Sequence, residues 1–212
     1  MASKRVAVIG ASGYGGLQTL RLLQGHPGLE VSFLGGERSS GKRWSELTPF
    51  LPLPGDPVVQ APDPDAIAAA ADLAVLSLPN GLASRLVPPL LERGVKVVDL
   101  SADYRYGSLQ QWREVYASEA RDFPRSDDTL CAEAVYGLVE WEQERIAAAR
   151  LVAAPGCFPT ASLLALTPLL KQGLIETAGI VIDAKTGTSG GGRAAKEHLL
   201  LAEASEGVAP YG

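Results

Sequence analysis

Cys157 occupies a position where its thiol could act as a nucleophile. It lies in the segment 153–161, and Pro159 follows shortly after it. Because proline is favoured in the first turn of a helix, the spacing predicts that Cys157 lies at a helix amino terminus. The positive end of the helix dipole stabilises a thiolate, so Cys157 is predicted to be a catalytic nucleophile. A buried structural cysteine is the alternative, and it fits Cys131 better.

A glycine-rich turn follows the first β-branched run of the chain. The segment 10–16 reads Gly-Ala-Ser-Gly-Tyr-Gly-Gly and stands between a predicted strand and a predicted helix. Glycines let a backbone turn tightly and approach a pyrophosphate, whose charge the helix amino terminus attracts. We therefore predict a dinucleotide-binding turn, with an ordinary glycine-rich turn as the alternative. The predicted cofactor ligands in this turn are Gly10, Ser12, Gly13, Tyr14, Gly15 and Gly16.

The segment 35–42 lies where such folds recognise the ribose of the cofactor. Arg38, Ser39 and Ser40 offer a positive charge and hydroxyl groups, which suit the 2′-phosphate of NADP. Glu37 would instead suit the ribose hydroxyls of NAD. The segment therefore favours NADP, and NAD stays open.

A second glycine-rich segment, 185–193, follows a hydrophobic run and ends in Arg193. Successive backbone N–H groups in such a segment can form a concave anion site. We predict that it holds substrate or nicotinamide, and a flexible linker is the alternative.

Short hydrophobic runs alternate with helical patterns along the chain. We expect strands at 4–10, 30–34, 73–77, 95–100, 150–154 and 179–185, and helices at 14–24, 64–71, 81–93, 159–171 and 193–204. Residues 35–62 are expected to form a long loop, and residues 101–130 an irregular segment with a short helix around Trp112. The alternation predicts an α/β fold, a Rossmann-type doubly wound parallel sheet with helices on both faces. Residues 1–155 would form the dinucleotide-binding domain, and residues 156–212 would begin an α+β catalytic domain.

Composition excludes several classes of protein. With 19 basic and 24 acidic residues the net charge is -5, which argues against nucleic acid or an anionic membrane as a partner. The apolar runs are shorter than a membrane span, and the amino terminus lacks the layout of a signal peptide, so we predict a cytoplasmic protein. Two cysteines cannot form a zinc site of the usual kind, and no metal is expected.

With these motifs placed, the chain resembles the N-acetyl-gamma-glutamyl-phosphate reductase family, within the semialdehyde dehydrogenase group. The resemblance covers essentially the whole chain. It is carried by the turn at 10–16, the Leu-Pro-Asn-Gly loop at 78–81, the Asp-Leu-Ser-Ala-Asp-Tyr-Arg motif at 99–105, the segment 134–138 and the cysteine segment.

The resemblance implies reduction of N-acetyl-gamma-glutamyl phosphate by NADPH, giving N-acetyl-glutamate semialdehyde and phosphate in arginine biosynthesis. Cys157 would carry a thioester, and the enzyme would be a homo-oligomer. Implied binding residues are Pro79, Ser189 and Gly190 for the cofactor, and Arg105 and Arg193 for the carboxylate or phosphate of the substrate. A related aminoadipyl- or aspartyl-phosphate reductase and a non-catalytic NADP-binding module are the alternatives.

In this family a histidine in a His-Arg-His motif, a few residues beyond a Tyr-Gly pair, acts as acid and base. The 212 residues end at Tyr211 and Gly212 without that motif. We therefore expect the chain to be the amino-terminal portion of a longer enzyme, with the histidine beyond Gly212.

Overall fold

A computed structural model describes residues 3–116, 128–194 and 196–210. The strands are β1 (Lys4–Ile9), β2 (Leu29–Gly35), β3 (Leu73–Leu76), β4 (Lys96–Asp99), β5 (Val135–Tyr136) and β6 (Leu151–Ala153). The helices are α1 (Tyr14–Gln24), α2 (Trp44–Leu47), α3 (Pro64–Ala70), α4 (Ala83–Glu92), α5 (Leu109–Tyr116), α6 (Asp128–Glu133), α7 (Val139–Ala148), α8 (Cys157–Lys171) and α9 (Leu201–Ala204). Two single 3-10 turns cover Thr188–Gly191 and Glu197–Leu199.

The strands form one parallel sheet in the order β2-β1-β3-β4-β6-β5. From β1 the chain moves to one side to form β2 and then crosses to the other side to form β3. This reversal puts a topological switch point at the carboxyl ends of β1 and β3, where open α/β sheets bind ligands. The predicted Rossmann-type α/β fold is confirmed.

Both faces of the sheet are buried, and β1 shows how the sequence achieves this. Val6 and Val8 belong to one hydrophobic cluster, together with the buried leucines of α1. Ala7 and Ile9 belong to the other cluster, which α3 and α4 cover. Successive side chains of a strand point to opposite faces, so an uninterrupted hydrophobic run serves two layers of helices.

The segment after β2, expected as a long loop, is an ordered lobe built on Trp44. This tryptophan is fully buried, and its indole N–H donates to the Leu51 carbonyl at 2.6 Å. At the outside of the lobe the Asp56 carboxylate accepts hydrogen bonds from the backbone and hydroxyl of Ser45, which lower the pKa of Asp56. A single aromatic anchor has no periodicity, so the sequence pattern did not reveal this order.

The strand predicted at 179–185 is wrong. None of the described strands pairs with this run, and the side chains of Ile180, Val181 and Ile182 are exposed. A hydrophobic run becomes a strand only where a neighbour accepts its backbone hydrogen bonds. The helix predicted at 193–204 is likewise reduced to the 3-10 turn Glu197–Leu199 and the short helix α9.

The region between β4 and β6 is more regular than its sequence suggested. The helix expected around Trp112 is α5, but α6, β5 and α7 have no counterpart in the predicted elements. Part of the predicted irregular segment, residues 117–127, lies outside the described residues. None of the described helices is long and apolar enough to cross a membrane.

Candidate active site

The turn between β1 and α1 requires glycine because the backbone after β3 approaches it closely. Gly10 has φ +78°, and a Cβ built there would lie 2.0 Å from the carbonyl oxygen of Ser77. A Cβ on Gly16 would lie 2.4 Å from the Gly10 carbonyl oxygen. These glycines therefore allow the backbones of β1, α1 and the residue after β3 to approach one another closely.

The same turn has the properties of an anion site. The first hydrogen bond of α1 runs from the Leu17 N–H to the Gly13 carbonyl, so the N–H groups of Tyr14, Gly15 and Gly16 have no partner within the helix. No acidic residue occupies the first turn. A cradle that a Cβ would fill, at the positive end of an eleven-residue helix, fits the diphosphate of a dinucleotide.

The residues expected to recognise the ribose follow the carboxyl end of β2. Arg38 and Ser40 are exposed there, and so is Glu37. Ser39 is buried, and a Cβ on Gly36 would lie 2.3 Å from its hydroxyl oxygen. Arg38 and Ser40 are therefore accessible to a ligand, whereas Ser39 packs inside the turn.

Cys157 is the first residue of α8 and is exposed, whereas Cys131 is buried within α6. Gly156 precedes the helix in an extended conformation and serves as its N-cap. An accessible sulfur at the amino terminus of a fifteen-residue helix has the setting of a reactive cysteine.

Arg105 joins the carboxyl ends of β4 and β6 beside this cysteine segment. Its Nε donates to the Ala154 carbonyl at 2.9 Å, and its Nη2 donates to the Leu100 carbonyl at 3.0 Å. A Cβ on Gly156 would lie 3.3 Å from Nη1. Arg105 thus lies next to the residue that precedes Cys157. Burial raises the pKa of Tyr136, and the charge of Arg105 opposes this rise, so Tyr136 is part of the same neighbourhood.

The motif at 99–105 is tied to the loop at 78–81 by hydrogen bonds that the sequence did not reveal. The buried Asp103 carboxylate accepts from the Gly81 N–H at 2.6 Å and from the Ser84 N–H at 3.1 Å. Asn80 accepts from the Ala102 N–H at 2.9 Å. Asp103 caps α4 from another segment, so only the three-dimensional structure could assign it this role.

Asp99 is a fully buried carboxyl group at the carboxyl end of β4. It accepts hydrogen bonds from the backbone N–H of Ser101 at 2.9 Å and from its hydroxyl at 2.8 Å. Burial raises the pKa of Asp99 to about 6, and the negative charge of Asp103 adds to the rise. The hydrogen bonds from Ser101 oppose the shift without cancelling it.

We expect Asp99 to make the protein less stable as the pH rises from about 4 to about 6. The pKa is about 6 in the folded chain against the ordinary 3.8, so in this window the folded chain retains a proton that the unfolded chain releases. The contribution of Asp99 to the free energy of unfolding is fully present below the unfolded-state pKa of 3.8. It is lost as the pH rises through the folded-state pKa of about 6, and the loss amounts to up to about 3 kcal/mol.

Denaturant unfolding of the wild type and Asp99→Asn at several pH values measures this effect. The unfolding free energy of the wild type, minus that of Asp99→Asn, should fall between pH 4 and pH 7. The same difference measured for Glu92→Gln, at an exposed position, is the control. A difference between wild type and Asp99→Asn that is independent of pH would contradict the prediction.

The second glycine-rich segment lies near the first one. Ser189 and Gly190 are exposed in the 3-10 turn Thr188–Gly191. Arg193 donates from Nη1 to the Ser12 carbonyl at 2.7 Å and from Nη2 to the Leu47 carbonyl at 3.4 Å. The structure therefore brings Arg193 to the dinucleotide turn, and places Arg105 at the cysteine segment. Pro79 is exposed after β3, and its carbonyl accepts from the Leu82 N–H.

The fold thus places this chain among the Rossmann-type nucleotide-binding proteins. Residues 5–149 match the family described as semialdehyde dehydrogenase, NAD binding domain. Residues 157–212 match the family described as semialdehyde dehydrogenase, dimerisation domain. The chain belongs to the semialdehyde dehydrogenase family.

Several curated relatives are similar to almost the entire chain. The N-acetyl-gamma-glutamyl-phosphate reductases of Synechococcus sp. (strain CC9605) and Parasynechococcus marenigrum (strain WH8102) are each 73% identical over 208 residues. The enzyme of that name from Prochlorococcus marinus (strain MIT 9313) is 70% identical. Each alignment covers 98% of this chain and 58% of the relative. The chain therefore spans little more than half the length of these relatives.

Solved structures support the fold at lower identity. Aspartate semialdehyde dehydrogenase II of Vibrio cholerae, complexed with ASA, superposes with a TM-score of 0.55 at 23% identity, over 80% of this chain and 47% of that one. Aspartate semialdehyde dehydrogenase of Candida albicans, with NADP, gives 0.54 at 20% identity, over 81% and 48%. At these identities the likeness concerns the fold alone.

Proposed function

We propose that the protein containing this chain reduces N-acetyl-gamma-glutamyl phosphate to N-acetyl-glutamate semialdehyde and phosphate, with NADPH as reductant, in arginine biosynthesis. The observation that carries the proposal is the position of Cys157, exposed at the start of α8 with Arg105 beside the preceding residue. The names of the relatives at 70–73% identity supply the substrate.

The chemistry assigned to this site is acyl transfer to sulfur. The Cys157 thiolate attacks the acyl carbon, a C–S bond forms, the C–O bond to the phosphate breaks, and phosphate leaves with its electron pair. NADPH, when bound, would supply a hydride to the thioester carbon, and cleavage of the C–S bond would then release the aldehyde and return the Cys157 thiolate. We assign the stabilisation of the developing oxyanion to the backbone N–H groups at the start of α8.

Arg105 and Arg193 are the two arginines considered for anionic groups of the ligands. Arg105 lies at the cysteine segment, whereas Arg193 lies at the turn 10–16. Arg105 keeps N–H donors beyond the two hydrogen bonds it makes, and it lies at the cysteine segment. We propose that it binds the phosphate or carboxylate of the substrate. Its contacts with the Ala154 and Leu100 carbonyls would hold the guanidinium in a fixed orientation for this purpose.

NADP is the proposed cofactor. The turn at 10–16 would hold its diphosphate, and the exposed Arg38 and Ser40 are available for the 2′-phosphate. Pro79 and the turn containing Ser189 and Gly190 are proposed to line the nicotinamide side.

The match of residues 157–212 to a dimerisation domain supports a homo-oligomer. A cytoplasmic location and the absence of nucleic-acid and membrane partners also belong to this proposal.

The proposal is tested with the full-length protein in the oxidative direction. N-acetyl-glutamate semialdehyde, phosphate and NADP are expected to give NADPH, with a kcat/KM at least about a hundredfold higher than for aspartate semialdehyde or aminoadipate semialdehyde. NAD is expected to be the poorer cofactor. Turnover of another semialdehyde instead would assign a different acyl-phosphate reductase. Binding of NADPH without turnover of any of them would indicate a non-catalytic module.

A further inference from the structure

Arg193 connects the carboxyl-terminal segment of the chain to the dinucleotide turn. Its hydrogen bond to the Ser12 carbonyl, at 2.7 Å, joins residues 181 positions apart. The longer contact of 3.4 Å with the Leu47 carbonyl attaches the same guanidinium to α2. Both acceptors are neutral carbonyl groups, so neither neutralises the charge of the arginine.

No carboxylate pairs with Arg193 within the described part of the chain. The planar guanidinium of arginine matches phosphate oxygens well. The side chain is exposed and retains N–H donors beyond those used by Ser12 and Leu47. The positive charge is thus available to a ligand at the turn.

The neighbouring group that attracts anions is the amino terminus of α1. The helix has no acidic residue in its first turn, and the glycine cradle admits a phosphate close to the backbone. We infer that Arg193 binds the diphosphate of the dinucleotide, together with the N–H groups of Tyr14, Gly15 and Gly16. This inference rests on the proposed function, because it concerns the same cofactor, and it gives Arg193 a different role from the substrate contact that the sequence suggested.

Arg193 also couples nucleotide binding to the order of its own segment. The turn Thr188–Gly191, which contains the exposed Ser189 and Gly190, ends shortly before Arg193. A diphosphate bound between Arg193 and α1 ties this turn to the glycine-rich turn by a charge-assisted contact. The bound nucleotide then places Ser189 and Gly190 at the cofactor site.

The test measures nucleotide affinity in the full-length protein with two ligands. One is 2′-phospho-ADP-ribose, which has the diphosphate and the 2′-phosphate but no nicotinamide. The other is adenosine 2′-monophosphate, which has no diphosphate. Arg193→Ala is expected to weaken 2′-phospho-ADP-ribose about tenfold, the effect of one charge-assisted hydrogen bond, and to leave adenosine 2′-monophosphate within about twofold. Arg193→Lys should recover part of the loss.

Arg38→Ala is the matched control, since this arginine is also exposed but lies at the end of β2. It should weaken both ligands, because both carry the 2′-phosphate. The second measurement is amide hydrogen exchange over residues 186–194. Addition of 2′-phospho-ADP-ribose should slow exchange in the wild type and have little effect in Arg193→Ala, which shows whether the arginine itself links ligand to segment.

The outcomes separate the inference from the proposed function. Equal affinity of wild type and Arg193→Ala for 2′-phospho-ADP-ribose overturns the inference, whatever the wild type catalyses. A rise in the KM for acyl phosphate with unchanged nucleotide affinity also overturns it and restores the substrate role. A wild type that binds 2′-phospho-ADP-ribose but does not reduce N-acetyl-gamma-glutamyl phosphate contradicts the proposed function alone. A wild type that binds no nucleotide overturns both.

Discussion

Replacing Cys157 with serine is expected to lower kcat in the full-length protein by at least about a thousandfold, while the affinity for NADPH stays within about twofold. The sulfur is exposed at the first residue of α8, where a substrate can reach it. A serine hydroxyl remains protonated at neutral pH and is a much weaker nucleophile. Because the side chain is exposed, the substitution leaves no cavity, and the fold should be retained.

Cys131→Ser is the matched control for this experiment. Cys131 is 2% exposed and packs in the hydrophobic cluster that α3 and α4 cover. Its substitution should lower stability, because a hydroxyl group replaces a buried thiol, but it should leave kcat essentially unchanged. Steady-state kinetics and thermal unfolding of both variants separate the two effects.

Iodoacetamide labelling provides an independent readout of the same assignment. At neutral pH Cys157 should react first in the native protein, and acyl phosphate should protect it, whereas Cys131 should react only after unfolding. An active Cys157→Ser variant, or equal labelling of the two thiols, would show that the reaction does not proceed through this sulfur.

The sequence predicted the sheet well because its strands are short, hydrophobic and buried on both faces. In β1 both alternating sets of side chains enter a core, which produces the uninterrupted run that identifies a central parallel strand. The run at 179–185 also contains consecutive β-branched residues, yet no described strand pairs with it. Hydrophobicity shows that a segment can be buried, but pairing depends on a neighbour that local sequence does not specify.

The sequence predicts those residues of the candidate site whose role depends on their neighbours in the chain. It does not predict those whose role depends on contacts with distant segments. The placement of Cys157 at a helix start follows from a nearby proline and an adjacent glycine. No local pattern marks Asp103, because its carboxylate oxygens accept hydrogen bonds from N–H groups at the start of α4, in another segment of the chain. Arg193 was recognised as a cation beside a glycine-rich segment, but only the fold brings it to Ser12.

The glycine-rich turn gives the second large effect, which concerns stability. Gly10→Ala is expected to lower the free energy of unfolding by about 3 kcal/mol or more, in the absence of any nucleotide. The residue has φ +78°, and an added Cβ would lie 2.0 Å from the Ser77 carbonyl oxygen. The backbone of residue 10 fixes the position of the Cβ, and the oxygen belongs to the backbone of Ser77, so relief requires β1 and β3 to move apart at the switch point. Denaturant unfolding of the apoprotein measures the loss.

Two other glycines provide controls graded by the space around them. Gly25 has φ -102° and no atom within 4 Å of an added Cβ, so Gly25→Ala should stay within about 0.5 kcal/mol of the wild type. Gly13 has φ -75° and an added Cβ 3.3 Å from the Gly10 carbonyl oxygen, so Gly13→Ala should fall between the two. If nucleotide contacts alone held the turn in its shape, all three variants would be equally stable without nucleotide. We instead expect the loss of unfolding free energy to increase from Gly25→Ala to Gly13→Ala to Gly10→Ala. This order would show that the packing of β1 against β3 determines the shape of the turn before any cofactor binds.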